Sequence, residues 1–253
     1  LWVAGDEDAL GIFRRGEDIY CDMAASIYGH PCNAKDHPAE RALGKVAVLG
    51  LGYQMGASKF LATCEQFRIP ITEELAEQTV SAYRAKYWRV KQLWADIEAA
   101  ATDAVLTRKV VRSGVVEFFV YGLFLYCRLP SGRLLAYPYP EIREKKTSWG
   151  EIRTGLTYMG VDATTHQWRR QTSYGGLLVE NIVQAISRDI MAEAMLRCED
   201  HGYPVILSVH DELIAEAPQG DLEEFVNLLT QVPTWAPGCP IAAEGWQGVR
   251  YRK

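Results

Sequence analysis

Two stretches of the chain carry side chains whose types and spacing could do chemistry. The first is residues 205–216, Val205-Ile-Leu-Ser-Val-His210-Asp211-Glu212-Leu-Ile-Ala-Glu216, where two short apolar strands flank a polar trio. An unpaired charge is costly to bury, so His210, Asp211 and Glu212 belong at a hairpin tip near the surface. There the two carboxylates would make a half-site for a hard divalent cation, which takes oxygen ligands. The same residues equally describe a polar hairpin turn with no chemistry. The choice depends on whether the chain supplies a substrate for such a metal.

The second stretch is residues 38–56, Pro-Ala-Glu-Arg41-Ala-Leu-Gly-Lys45-Val-Ala-Val-Leu49-Gly50-Leu-Gly52-Tyr53-Gln-Met-Gly56. Pro38 suits a first helical turn. Arg41, Lys45, Leu49 and Tyr53 recur every four residues, and each such step drifts only ~40° around a helix. The expected stripe runs from two cations to an apolar side chain and then to an aromatic ring. Triphosphates need the cations, and a base needs the flat surface. The alternative is a buried amphipathic helix with Tyr53 in the core and the cations on its rim. Gly44, Gly50, Gly52 and Gly56 each cost about 1 kcal/mol in a helix interior. That many glycines suggest close approach of another backbone, or a helix that bends or moves.

Composition sets the outer bounds. A chain of 253 residues can bury a substantial core as one large domain or two lobes. No apolar run approaches the ~20 residues of a membrane span, and the opening Leu1-Trp-Val-Ala-Gly-Asp is no signal peptide. The absence of an initiator Met points to a fragment or a trimmed chain. The six cysteines form no CxxC pair, which argues against zinc and suits reduced thiols in the cytosol. A net charge of −5 argues against non-specific coating of DNA, though a local basic groove is compatible with it.

The elements that must position these residues follow from periodicity. Residues 6–29 read as helix in two pieces broken at Gly16, ending at Gly29-His-Pro. His30 and His37 flank the next loop and read as solvated. After the 38–56 helix, 57–69 form a short helix. Thr72 caps a long one running to about Val105, with acids in its first turn. Arg84, Lys86, Arg89 and Lys91 on it read as a solvated basic face. Between 108 and 172 the pattern turns to strands: 110–111, 115–120, 123–129, 134–137, 156–159 and 164–169. Turns fall at Ser113-Gly114 and Ser131-Gly132, and 143–150 reads as a polar loop. An amphipathic helix covers 173–200, with Asn181, Gln184 and Arg188 on its more polar flank. The hairpin, a helix over 221–229 and a strand over 240–246 complete the chain.

Taken together, these stretches resemble the polymerase core of the family A DNA polymerases, the DNA polymerase I type, and more closely a phage-type branch. His210-Asp211-Glu212 between apolar strands is similar to the family's motif C. Arg41, Lys45, Leu49-Gly50 and Tyr53 are similar to motif B, the O helix of the fingers. Gly16-Glu-Asp-Ile-Tyr20 resembles the segment between motifs A and B. The helix from Tyr174-Gly-Gly to Gln184 resembles the palm helix carrying a Gln. The likeness covers nearly the whole chain in the family's order.

The resemblance implies an α+β fold, a fragment of a right-hand polymerase. Residues 1–112 would be mostly helical fingers. Residues 113–253 would be mostly palm with an antiparallel sheet, including a β-rich insertion at 113–172. It implies template-directed DNA synthesis on primer-template DNA from dNTPs, with two Mg²⁺ ions, in the cytoplasm of a bacterium or a phage-infected host. Asp211 would bind the metals, with Glu212 assisting, and His210 would sit at the primer terminus. Arg41 and Lys45 would hold the triphosphate, and Tyr53 would pack at the templating base. Gln184, with Asn181 and Arg188 beside it, would contact DNA. Tyr20 stands where many relatives have a His that touches the triphosphate. Leu49 stands where they usually have Phe or Tyr against the sugar.

The chain departs from the family at its front. The motif A carboxylate would precede Leu1, and Asp6, Glu7 and Asp8 do not match it. Two-metal catalysis needs carboxylates from both strands. The chain alone is therefore expected to be inactive, its partner being a separate N-terminal segment carrying motif A. Two alternatives remain: a non-catalytic nucleic-acid-binding fragment, and a relative of the single-subunit RNA polymerases.

Overall fold

A computed structural model describes residues 1–146 and 152–251. It contains helices and antiparallel sheets, the α+β composition expected, in two compact units, Leu1–Ile182 and Val183–Lys253. The change from helix to strand near residue 110 lies inside the first unit.

The first unit opens with α1 (Glu7–Arg14) and α2 (Ile19–Tyr28). Both start on aspartates: Asp6 accepts from the Ala9 N–H, and Asp18 accepts from the N–H groups of Tyr20 and Cys21. These bonds satisfy donors that a helix leaves unpaired at its start. Gly29 ends α2 in the left-handed conformation, with φ of 75°. α3 (Pro38–Leu51) begins with proline in its first turn and packs closely on α2. Leu43, Ala47 and Leu51 face inward along it and are almost fully buried, as are Met23, Ala24 and Ile27 of α2.

α4 (Ala57–Gln66) follows, then α5 (Glu73–Lys86), which Thr72 caps through a bond from the Leu75 N–H. The single long helix expected here is two helices. The backbone breaks at Tyr87 (φ −99°, ψ 50°), and α6 (Trp88–Thr107) starts afresh. Tyr83 and Tyr87 are buried with ring centroids 4.9 Å apart, so apolar spacing continues across the break. Periodicity in the side chains therefore conceals the interruption in the backbone.

A four-stranded antiparallel sheet comes next, in chain order: β1 (Val111–Ser113), β2 (Val116–Tyr121), β3 (Phe124–Arg128) and β4 (Leu134–Pro138). Val116 and Phe118 of β2 and Leu125 and Cys127 of β3 are fully buried, two residues apart on each strand, as a one-faced sheet requires. A three-stranded sheet follows: β5 (Glu141–Lys146), β6 (Ile152–Val161) and β7 (Trp168–Thr172). This corrects two expectations. Residues 143–146 belong to a strand rather than a polar loop, and the rest of that loop, 147–150, lies outside the described residues. Residues 162–167 are a turn built on Asp162, and the strand begins at Trp168.

α7 (Gly175–Asp200) carries the chain from the first unit into the second. Its two opening glycines are required. A methyl on Gly175 would meet the Trp94 carbonyl oxygen at 2.1 Å, and one on Gly176 the Tyr53 carbonyl oxygen at 2.4 Å. In the second unit, β8 (Val205–Val209) and β9 (Glu212–Ala215) form the expected antiparallel hairpin, followed by α8 (Leu222–Thr230). Cys198, Tyr203 and Leu228 are its core, with Val205, Ala215 and Phe225 packed against them. The strand expected over 240–246 is not formed; that segment is irregular.

No helix among the described residues is long and apolar enough to cross a membrane.

Candidate functional site

In the first unit the candidate residues gather where α2 and α3 cross. Gly44 lies directly on the Tyr20 carbonyl, since a methyl there would sit 2.2 Å from that oxygen. The close crossing brings Arg41 and Lys45 over the Tyr20 ring, at 5.3 Å and 5.9 Å from its centroid. Arg41 Nε also donates to Asp18 Oδ2 at 2.6 Å. Asp18 thus has two roles, capping α2 through one oxygen and orienting the guanidinium through the other. Its partial burial raises the carboxyl pKa. The bonds from Arg41 and from the Cys21 and Tyr20 N–H groups outweigh that effect and leave it below the ordinary aspartate value.

Lys45 and Leu49 follow Arg41 on the same exposed stripe. Lys45 is exposed and forms no ion pair among the described residues, while Leu49 is 57% exposed although apolar. An apolar side chain this open next to two cations fits a surface that receives an amphipathic ligand.

Tyr53 does not continue the stripe. α3 stops at Leu51, and Tyr53 lies beyond the Gly52 cap in a turn. The Gly52 carbonyl accepts from Trp94 Nε1 at 2.8 Å, and Gln54 sits at φ 67°. The turn packs on the start of α7, where Gln54 Oε1 accepts from the Gly176 N–H at 2.9 Å. Burial raises the Tyr53 hydroxyl pKa above the ordinary tyrosine value, and the Glu180 carboxylate adds to the shift. Tyr174 is shifted the same way for the same two reasons. Glu180 thus stands near both phenols, in a position that spacing did not single out.

Of the glycines in this stretch, Gly44 alone meets another backbone closely. Gly50 faces only the Met55 side chain, Gly52 makes ordinary contacts, and Gly56 faces open space.

α7 carries the remaining DNA-facing candidates. Asn181 Nδ2 donates to the Tyr137 hydroxyl at 3.3 Å within the first unit. Gln184 and Arg188 lie in the second unit and are both exposed. Arg188 makes a long contact of 3.9 Å to Met195 Sδ.

In the second unit the hairpin has a two-residue tip, His210-Asp211. His210 adopts φ 53°, the left-handed conformation that tight hairpin turns use. Both tip residues are exposed. Glu212 is not at the tip: it pairs with Val209 as the first residue of β9, and its carboxylate accepts from the Tyr251 hydroxyl at 3.1 Å. No third carboxylate, His or Cys converges on Asp211 among the described residues. The hairpin therefore offers one free carboxylate and does not by itself make a complete two-ion site. Asp6, near the front of the chain, is buried and occupied in capping α1, so it is no substitute.

Together these features define an α+β protein with a cation-lined helical surface in one unit and a carboxylate-tipped hairpin in the other. Comparison with known proteins finds relatives along the chain. The chain is 36% identical over 258 aligned residues to the DNA polymerase of Bacillus phage SP02, matching along 100% of its own length. It is 26% identical over 234 residues to the thermostable DNA polymerase I of Thermus aquaticus and 25% identical over 237 residues to the DNA polymerase I of Chloroflexus aurantiacus. No family model matches it. The chain is thus similar along its whole length to a portion of the phage DNA polymerase, and over 91% of its length to portions of the two bacterial DNA polymerases I. It spans 39% of the phage protein and 22% and 20% of the two bacterial ones.

Proposed function

We propose that the chain is the nucleotide-binding and primer-end portion of a polymerase that carries out template-directed DNA synthesis. The reaction is attack of a primer 3′-hydroxyl on the α-phosphorus of a dNTP, with pyrophosphate leaving. In this reading the helices of the first unit are the fingers, and the β8–β9 hairpin belongs to the palm. The observation that supports it most is the exposed run of Arg41, Lys45 and Leu49 on α3, alongside similarity to DNA polymerases over the whole chain.

Each residue then has a physical task. Lys45 meets a phosphate as a mobile point charge, and Arg41 meets one with a planar fork already aimed by Asp18. Tyr20 supports both cations from beneath and lines the same surface. Leu49 offers an apolar face to the sugar, and Tyr53 acts at the templating base from its turn beyond the helix. His210 touches the primer end, while Asn181, Gln184 and Arg188 face the primer-template along α7. Because Gly44 sits on the Tyr20 carbonyl, α2 and α3 are bound to move as one body when the triphosphate is delivered.

Asp211 is one of the carboxylates that Mg²⁺ ions would need, with Glu212 beside it in sequence, but one carboxylate alone does not supply enough ligands to hold two ions. The remaining donors would come from a polymerase segment carrying motif A. With DNA and dNTPs as partners, the work would be done in bacterial or phage-infected cytoplasm. A second reading, a nucleic-acid-binding polymerase fragment without catalysis, is favoured by the same lack of converging donors at Asp211. The relatives' names favour DNA rather than RNA synthesis.

Two measurements on the purified chain test the proposal. It should bind dNTPs in a Lys45-dependent way, yet give no primer extension with Mg²⁺ until a motif A segment is supplied. Absence of dNTP binding removes the proposal, and extension by the chain alone shows that another carboxylate serves.

A further inference from the structure

The connection between α2 and α3 holds side chains that the nucleotide-binding proposal does not use. It is organised by Asn33. Asn33 Oδ1 accepts from the Lys35 and Asp36 N–H groups at 3.1 and 2.8 Å. Asn33 Nδ2 donates to Asp36 Oδ2 at 2.9 Å, and the Asn33 carbonyl accepts from the His37 N–H at 3.0 Å. The loop so fixed brings the His30 and His37 rings to 5.3 Å between centroids. Both rings lie against Glu40, in the first turn of α3. One ring nitrogen from each histidine and one Glu40 oxygen all lie within 4.8 Å of one another, the only such set of three found among the described residues.

The protons show why this set calls for a cation. His30 Nδ1 lies 3.1 Å from the Pro31 carbonyl, which can only accept, so Nδ1 bears a hydrogen. In the neutral ring Nε2 then presents a lone pair. It faces Glu40 Oε2 at 3.4 Å, and that buried oxygen has no hydrogen-bond donor. Two lone pairs cannot stably face each other at that distance without positive charge between them. A second proton on His30 would satisfy this pair alone and would not draw in His37. A metal ion engages all three. Among the described residues, the hydrogen bond to the His37 ring is a long contact of 3.4 Å from the Asn33 N–H to Nδ1, a weak restraint on which nitrogen turns inward.

We propose that His30, His37 and Glu40 form a site for a transition metal ion of the Zn²⁺ class, with water completing the coordination. Two imidazoles and one carboxylate are a donor set Zn²⁺ takes, at about 2.0–2.2 Å from each ligand atom. Ligand atoms around such an ion are about 3.4 Å apart, and His30 Nε2 and Glu40 Oε2 already stand 3.4 Å apart. The missing CxxC pair bears only on thiolate sites. Because Glu40 immediately precedes Arg41, the ion would clip the end of α2 to the start of the helix that presents Arg41 and Lys45. The site stands independently of the function proposed above.

The test is calorimetric titration of the full chain, stripped with a chelator, with Zn²⁺ at pH 7.5, followed by the absorption spectrum with Co²⁺. One equivalent should bind with micromolar affinity or better and raise the melting temperature. Losing a partner that merely orients a metal ligand costs 10–100-fold in affinity, so His30→Gln, His37→Gln and Glu40→Gln should each weaken this equivalent by roughly tenfold or more. Asp211→Asn should leave it unchanged, which separates the site from the hairpin carboxylate. Circular dichroism confirms that each variant is folded. Wild-type affinity in all three variants, or no more Zn²⁺ bound by the native chain than by the triple variant, overturns the proposal.

Discussion

Gly44 of α3 and the Tyr20 carbonyl of α2 are in direct contact, so close that a methyl group on Gly44 would lie 2.2 Å from the oxygen and 3.1 Å from the Ala24 nitrogen. Backbone is on the far side of the contact, so no side chain can swing away. Gly44→Ala gains about 1 kcal/mol of helix propensity, but separating the helices costs about 1–3 kcal/mol by overpacking. The expected net result is destabilisation, with Tyr20 moved out from under Arg41 and Lys45. Gly50→Ala is the contrast. Its methyl would meet only the Met55 side chain, at 3.6 Å or more, so this variant should be neutral or gain up to ~1 kcal/mol. Urea unfolding of the pair checks the sign of each. Equal effects would show that Gly44 is conserving flexibility rather than a contact.

Lys45→Ala should weaken dNTP binding without loss of stability. Removing one charge-assisted bond costs about 1.5–3 kcal/mol, roughly tenfold or more in the dissociation constant. Arg41→Lys should also weaken binding, because an ammonium cannot bond Asp18 and a phosphate through one planar fork. Lys59→Ala, an exposed cation on α4, is the control and should change nothing. Titration of each chain with a fluorescent dNTP gives the comparison. An unaltered constant in Lys45→Ala would place the triphosphate elsewhere.

Periodicity made much of this surface legible, and it failed where contacts cross long stretches of chain. Four-residue spacing identified Arg41, Lys45 and Leu49 as one stripe because a helix repeats its faces locally. It carried Tyr53 along although Gly52, which ends α3, stood just before it, because glycines recur within the helix itself at Gly44 and Gly50. That end is set by tertiary structure: Trp94 takes the Gly52 carbonyl, and Gln54 reaches Gly176. Asp18 was within reach, since an aspartate before an apolar run signals a helix start. Its bond to Arg41, 23 residues later, was not. The strand alternation in β2 and β3 and the apolar flanks of the hairpin were readable for the same local reason. His30, His37 and Glu40 follow no motif; a loop wound on Asn33 brings them together.

Asp162 gives the connection between β6 and β7 a defined response to acid. Its Oδ1 accepts from the Thr165 N–H at 2.8 Å, the Thr165 hydroxyl at 2.9 Å and the Thr164 N–H at 3.1 Å, and its Oδ2 pairs with Arg169. These bonds, led by the Thr165 N–H, overcome partial burial and lower its pKa to about 2. A carboxyl depressed in the folded state stabilises fully above its unfolded pKa, about 3.9. That stabilisation fades as pH falls from there and is lost as pH passes through about 2. The Thr164 and Thr165 amides should therefore keep their protection from exchange well below pH 4 and lose it only as pH falls through about 2. Asp162→Asn should remove this pH dependence. Amide NMR across the range gives the midpoint, and titration of the native Asp162 near 4 would contradict the bonding.

Glu98 holds the first turn of α7 in place. Its Oε2 accepts from the Gly175 N–H at 3.0 Å, next to the bond from the Gly176 N–H to Gln54. Both glycines press onto backbone, of Trp94 and of Tyr53 respectively, so the turn has no slack to find new partners. A carboxylate there satisfies a donor that the helix leaves open, and its charge meets the positive end of the helix dipole. Glu98→Gln keeps an acceptor and loses the charge, an expected cost of about 0.3–1 kcal/mol that shrinks in high salt. Glu98→Ala loses both and should cost about 1–2 kcal/mol. Gln54→Ala should cost a similar amount and also loosen the turn that carries Tyr53. The two sites share one helix start, so the double variant should cost less than the sum of the singles. Denaturation of the wild type and the four variants in low and high salt measures all of these terms. A salt-independent loss in Glu98→Gln would mean that the hydrogen bond, rather than the charge, anchors α7.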